Sequence, residues 1–188
     1  TVACTDALLR DADLARELRR ARALRLGQLP TSKTTARWLA EAAPAAVLVD
    51  PDAQWHDPEH SAAMLLVADP VQACAALAWG AGAPPRDPAW LEAWSLADRA
   101  ARAAIDDAAR AGWWEGAVAR AVVDALPPGA LLVVASSLAV RDVDAFGGGA
   151  ERALSLLSNR GANGIDGTIA TAVGAALGWG AGPVVALV

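Results

Sequence analysis

The stretch that most limits what this chain can become runs Ser158-Asn159-Arg160-Gly161-Ala162-Asn163-Gly164-Ile165-Asp166-Gly167. An apolar run, Ala153 to Leu157, precedes it, and a helix-forming run, Thr168 to Leu177, follows. It reads as the loop that leaves a strand and opens a helix, which points to a parallel α/β sheet. Gly161, Gly164 and Gly167 let the backbone take positive φ and approach a ligand closely. Asp166 stands where a helix N-cap belongs, with the Gly167 and Thr168 amides just beyond it. Free N–H groups at such a place favour an anion, a phosphate or a carboxylate. Arg160 adds a planar charge suited to carboxylates. The bland alternative is a glycine-rich turn carrying a solubilising arginine, because short glycine patterns are weak signals on spacing alone.

The rest of the chain repeats the alternation. Thr5 to Arg20 has apolar residues at helical spacing, and Ala23 to Gln28 reads as a short strand. Pro30-Thr31-Ser32 is a turn able to cap a helix starting near Lys33. Strands are expected at Ala45 to Asp50 and Ala63 to Val67, with a helix from Pro70 to Leu77. Gly80 to Asp87, dense in Gly and Pro, is the best linker in the sequence. A long helix follows from Pro88 to about Ala111, with Trp90 and Trp94 one turn apart on a shared face. A second runs from about Glu115 to Leu126, where Pro127-Pro128-Gly129 stops it. Ala130 to Ala135 is an apolar strand of the buried parallel kind, and Pro183 to Val188 is the final strand. The expected fold class is α/β, with doubly wound parallel sheets in two partial domains, residues 1–80 and 88–188, joined by a linker at 81–87. The first starts at a helix and the second ends on a strand whose loop would lie past Val188, so a fragment is expected.

Charge narrows the function. A net charge of −5 argues against a nucleic-acid face, which needs clustered Lys and Arg. The densest basic group, Arg16, Arg19, Arg20, Arg22 and Arg25, is interleaved with Asp11, Asp13 and Glu17 and reads as a solvated helix face. Cys4 and Cys74 have neither metal spacing nor a disulfide framework. His56 and His60 lie four apart in a proline-broken segment with no third ligand, so a zinc site is not expected. Gly167 to Val188 carries no charge and is long enough to span a membrane, but Gly178, Gly180, Gly182 and Pro183 break it into helix, turn and strand. A soluble, cytoplasmic protein is expected, with no membrane span.

In open parallel sheets, ligands sit beyond the C-terminal strand ends. Two polar groups fall there: Ser136, Ser137 and Arg141 after one strand, and Asn159, Arg160 and the glycine loop after another. Arg141 and Arg160 could clamp one dicarboxylate. The alternative is that Arg141 pairs with Asp142 or Asp144 on a surface turn.

SNRGANGIDGTIATAVGAALG, with SSLAVRD and LPTSK upstream, closely resembles the 2-succinyl-5-enolpyruvyl-6-hydroxy-3-cyclohexene-1-carboxylate synthases, thiamine-diphosphate enzymes of menaquinone biosynthesis. The NRG-x-x-GIDG word is the specific part, and the resemblance covers nearly the whole chain but only about the middle third of the family's length. It implies a fold made of the second half of a transhydrogenase-like middle domain (1–80) and the start of the diphosphate-binding domain (88–188). The implied reaction decarboxylates 2-oxoglutarate and transfers the succinyl group to isochorismate, with thiamine diphosphate and magnesium as cofactors. By matched words, Lys33, Ser137, Arg141 and Arg160 are implied to bind substrate. Ile165 is implied to pack against the cofactor, with Asp166 and Gly167 beside it. Ile165 also reads simply as a core residue, and Lys33 as a solvated residue of a first helical turn. Family members often carry Asn where Ser136 stands, which leaves an amide contact there open. The activating glutamate and the Gly-Asp metal motif fall outside the sequence, so this chain alone is expected to be inactive and the intact enzyme a homodimer or homotetramer. The rival readings are another enzyme of the acetolactate-synthase type, which should lack the NRG-x-x-GIDG word, and a catalytically incomplete scaffold.

Overall fold

Short apolar runs are buried on both faces when helices cover a parallel sheet, and the chain supplies both kinds of element in turn. The computed structural model describes residues 2–20, 22–42, 45–79, 87–148, 154–159 and 165–188. Contacts divide the chain into two units, one of residues 8–96 and one of residues 1–7 with 97–188.

In the unit of residues 8–96, the strands β1 (Leu24–Leu26), β2 (Ala46–Val49) and β3 (Ala62–Leu66) form a parallel sheet in the order β1-β2-β3. The expected single helix over Thr5 to Arg20 is instead two, α1 (Thr5–Leu8) and α2 (Ala12–Glu17). Asp11 causes the break: its carboxylate accepts from the Asp13 and Leu14 amides and caps a fresh start. The helix α3 (Lys33–Ala42) begins as its sequence predicts, with Ser32 Oγ accepting from the Thr35 amide at 3.0 Å. The helix α4 (Pro70–Trp79) follows β3.

Arg25 corrects the expectation of a solvated basic face. Alternation along β1 turns its side chain inward while Leu24 and Leu26 face out. There it donates to Asp57 at 3.0 Å and to the His56 carbonyl at 2.6 Å. Three tryptophans complete this core. Trp94 meets Trp38 and Trp90 edge-to-face at 5.8 and 6.1 Å, and the Trp38 and Trp90 indoles donate to the Ala15 and Leu18 carbonyls.

The long helix α5 (Pro88–Ala111) has the predicted bounds, and the division between the units falls inside it. Asp87 caps it by accepting from the Trp90 amide at 3.1 Å; the remainder of the linker, residues 80–86, lies outside the described residues.

In the other unit, α6 (Glu115–Ala125) leads to β4 (Leu131–Val134), every residue of which is buried. The helix α7 (Leu138–Phe146), the strand β5 (Ser155–Ser158), the helix α8 (Thr168–Gly178) and the strand β6 (Val184–Leu187) complete it. The sheet is parallel, in the order β5-β4-β6, with β4 at its centre. Leu126, Ala130, Leu132 and Val134 form its core, against Val122, Val140 and Val143. Buried Asp98 of α5 accepts from the Ala3 and Cys4 amides at 2.8 Å and from Arg102 Nε at 2.7 Å, which fastens the N-terminal segment. Residues 167–188 are helix, turn and strand as expected, and among the described residues no helix is long and apolar enough to cross a membrane.

Candidate functional site

At the C-terminal end of β4 the backbone leaves its ordinary geometry. Ala135 still belongs to the sheet, donating to the Leu187 carbonyl at 2.8 Å. Two residues on, Ser137 takes φ 70° and ψ −120° and serves as N-cap of α7. A non-glycine residue at positive φ is strained, and such strain gathers at functional turns. Ser137 makes no side-chain capping bond, so the first amides of α7 lack that partner.

Arg141 stands on α7, not on the surface turn that offered the alternative reading, and its Nε donates back to the Ser137 carbonyl at 2.8 Å. That bond ties the guanidinium to the strained turn one helical turn before it. A cavity of about 370 Å³ opens at this strand end. Ser136, Ser137, Leu138 and Asp142 line it from the turn and α7, Glu115 and Val118 from α6, and Leu187 from β6. Asp142 is buried, and burial raises its carboxyl above the ordinary range; Glu115 adds to that rise and Arg141 offsets part of it.

The second predicted constellation leaves the neighbouring strand. β4 and β5 pair in register with Val134 opposite Ser158, so the two strands end side by side. Arg160 lies outside the described residues. Beyond it, α8 begins at Thr168, where its sequence suggests, but with a different cap. Its N-cap is Gly167 at φ 81°, a left-handed conformation open to glycine, and not Asp166. Buried Thr168 turns its hydroxyl back to the Ile165 carbonyl at 3.1 Å. Ile165 is 76% exposed, which corrects its reading as a core residue of this chain. It offers an apolar surface next to a helix N-terminus without a side-chain cap.

Lys33 occupies the first turn of α3 in the unit of residues 8–96. It lines a groove of about 450 Å³ with Arg16, Arg19, Arg37, Trp38 and Glu41. Arg16 pairs with Asp13, and Arg19 with Glu41 at 2.8 Å. Asp142 and Glu115 are the site residues that sequence reasoning missed. The signal was present in Arg141-Asp142, but an acid beside an arginine reads as a surface pair until α7 turns the two apart.

No family model matches the chain. Curated proteins named 2-succinyl-5-enolpyruvyl-6-hydroxy-3-cyclohexene-1-carboxylate synthase do. The one from Halorubrum lacusprofundi is 39% identical over 162 residues, covering 81% of this chain and 26% of the relative. The one from Geobacillus kaustophilus is 36% identical over 173 residues, covering 92% and 30%. The one from Rubrobacter xylanophilus is 41% identical over 160 residues, covering 84% and 28%. The chain thus spans less than a third of the length of these curated relatives.

Proposed function

We propose, starting from a chain that is homologous over most of its length to one segment of the 2-succinyl-5-enolpyruvyl-6-hydroxy-3-cyclohexene-1-carboxylate synthases, that it forms the substrate-side wall of such an enzyme. In this reading residues 1–80 belong to a middle domain and 88–188 to a diphosphate-binding domain. The whole protein is a thiamine-diphosphate- and magnesium-dependent transferase acting on 2-oxoglutarate and isochorismate. The observation that supports it is the parallel pairing of β4 with β5, because Ser137 and Arg141 follow one of these adjacent strands in sequence and Arg160 follows the other. Both substrates are carboxylates, and a guanidinium binds a carboxylate through two parallel hydrogen bonds.

The residues around the α8 N-terminus fit thiamine diphosphate. Exposed Ile165 offers an apolar face, and Gly167 admits a close approach because no side chain projects from it. When bound, that cofactor supplies the electron sink for decarboxylation. The protein orients the substrates. Arg141, tethered to the strained turn, and Arg160 would hold carboxylates, Ser137 would donate from its hydroxyl, and Ile165 would pack against the cofactor; for Lys33 a substrate contact is implied by the resemblance alone. The α8 row Ile169, Val173 and Leu177 is exposed and uncharged, which supports a homo-oligomeric enzyme.

The test follows isochorismate consumption by the product of the complete reading frame containing this sequence. Turnover that requires 2-oxoglutarate, thiamine diphosphate and magnesium together is the expected result. Equal turnover with pyruvate replacing 2-oxoglutarate would move the chain to the acetolactate-synthase type, and no turnover would leave a scaffold.

A further inference from the structure

We propose that the strained Ser137 turn is a positioning device for Arg141: its carbonyl holds Nε, so the guanidinium takes a carboxylate end-on, through Nη1 and Nη2. The inference deepens the reading of this strand end as a carboxylate site and rests on it. An arginine carries one N–H on Nε and four on its two terminal nitrogens, all in one plane. A carboxylate can sit side-on, across Nε and one terminal nitrogen, or end-on, across both terminal nitrogens. In this chain the first mode is closed. Arg141 Nε donates to the Ser137 carbonyl at 2.8 Å, and among the described residues neither Nη1 nor Nη2 has a hydrogen-bond partner.

The carbonyl stands where it does because Ser137 takes φ 70° and ψ −120°. A residue with a side chain enters that region only when its surroundings hold it there. Side chains of a helix lean toward its N-terminus, and the bond to Ser137 draws Arg141 the same way, one turn back along α7. That carries the free edge of the guanidinium toward the end of β4. The Ser137 hydroxyl makes no capping bond, so the same turn offers it as well. A loose arginine gives up rotamer freedom when it binds its ligand. Here the tether has already taken up that freedom in folding, and what remains is a fixed fork beside a hydroxyl.

The experiment records nitrogen-15 signals of the arginine side chains in the 188-residue chain, alone and titrated with succinate as the carboxylate probe. Arg141→Lys identifies the Arg141 signals by their loss. In the free chain the Arg141 Nε proton should exchange with water about tenfold more slowly than that of exposed Arg99, for which no partner is described. Adding succinate should shift the Nη signals and leave the Nε signal in place. Ser137→Gly accommodates positive φ and should keep the slow Nε exchange, whereas β-branched Ser137→Val cannot hold that φ and should lose it. Both variants lack the hydroxyl, so the tether is what separates them. Succinate should bind Ser137→Val about threefold to tenfold more weakly than Ser137→Gly. If Ser137→Val does not fold, the Nε and Nη signals of wild type decide alone. An Nε signal that moves with the Nη signals, fast Nε exchange in free wild type, or equal succinate affinity in the two folded variants overturns the positioning role and leaves the carboxylate site standing. Failure of succinate to move any Arg141 signal removes that site, and the proposal with it.

Discussion

Ser137 shows how a single residue couples strain to function. Its positive φ costs roughly 1–3 kcal/mol, and glycine would relieve that at an entropic cost of about 0.5–1 kcal/mol. Ser137→Gly should therefore stabilise the chain by about 1 kcal/mol relative to Ser137→Ala in urea denaturation; the reverse order would show the turn to be unstrained. Arg160→Lys addresses the site. It keeps the charge and loses the fork, so in the complete enzyme kcat/KM should fall roughly tenfold or more, with thiamine diphosphate affinity little changed. Equal losses would assign Arg160 to the diphosphate instead. Asp57 is structural by contrast. Burial alone would raise its pKa, but the Ala62 amide, Arg25 and Ser61 hold it below the ordinary carboxylate value. Its contribution is complete above the ordinary value and is lost as pH falls through the lowered folded one. Asp57→Ala should cost about 3–5 kcal/mol near neutral pH by stranding buried Arg25, and the gap from wild type should narrow in acid. A gap independent of pH would exclude this account. Neither the Ser137 turn nor the surroundings of Asp57 could be read from the residues alone. Arg25 looked solvated because its neighbours in sequence are charged, whereas the strand's alternation decides which way it faces.

At the scale of elements, legibility followed local completeness. α5 and β4 were plain from periodicity because each carries its own stop signals: Gly112 after one, and Pro127-Pro128-Gly129 before the other. α7 was not foreseen, because Ser136-Ser137 reads as loop and the helix is launched by a backbone conformation that serine rarely adopts. The two-helix start was missed because Asp11 looks like one more charge until its carboxylate is seen taking two amides. The site words were legible as words; that Arg141 rides a helix tethered to Ser137 was not. Turns matter here as tightly as helices. A Cβ at Gly182 would stand 2.7 Å from the Gly129 carbonyl oxygen, beside the bond from Trp179 Nε1 to that same oxygen. The atoms that this Cβ would meet, Gly129 O and C and Ala130 N, are all backbone and cannot yield cheaply. Gly182→Ala should destabilise the β5-β4-β6 unit by about 1–3 kcal/mol, while Gly174→Ala, which meets nothing within 4 Å, should be neutral or slightly stabilising. Equal effects at the two glycines would refute the close packing of these turns.

At the scale of the molecule, two boundaries compete. The Gly- and Pro-rich stretch at 81–87 proposes a domain junction, and the contacts propose another between Leu96 and Ala97. Sequence reads the first because composition changes there. It cannot read the second, because α5 is one uninterrupted helix whose ends serve different cores. The early turns of α5 carry Trp90 and Trp94 to the tryptophan cluster, while Asp98 collects the Ala3 and Cys4 amides. The two boundaries predict different behaviour for a fragment of residues 88–188. In the whole chain, Asp98→Ala should cost about 2–4 kcal/mol, because it orphans two backbone donors and the partner of Arg102. In the fragment those two donors are absent, so the same substitution should cost about 1 kcal/mol or less, the residual value of a partly exposed pair with Arg102. Urea denaturation of both proteins, each with and without the substitution, measures the difference. Equal costs in the two backgrounds would show that residues 1–7 add nothing through Asp98 and would favour 81–87 as the working boundary. A fragment that cannot fold at all would rule out 81–87 as the start of an autonomous domain, since the helix that follows it would then depend on a strand of chain more than eighty residues earlier.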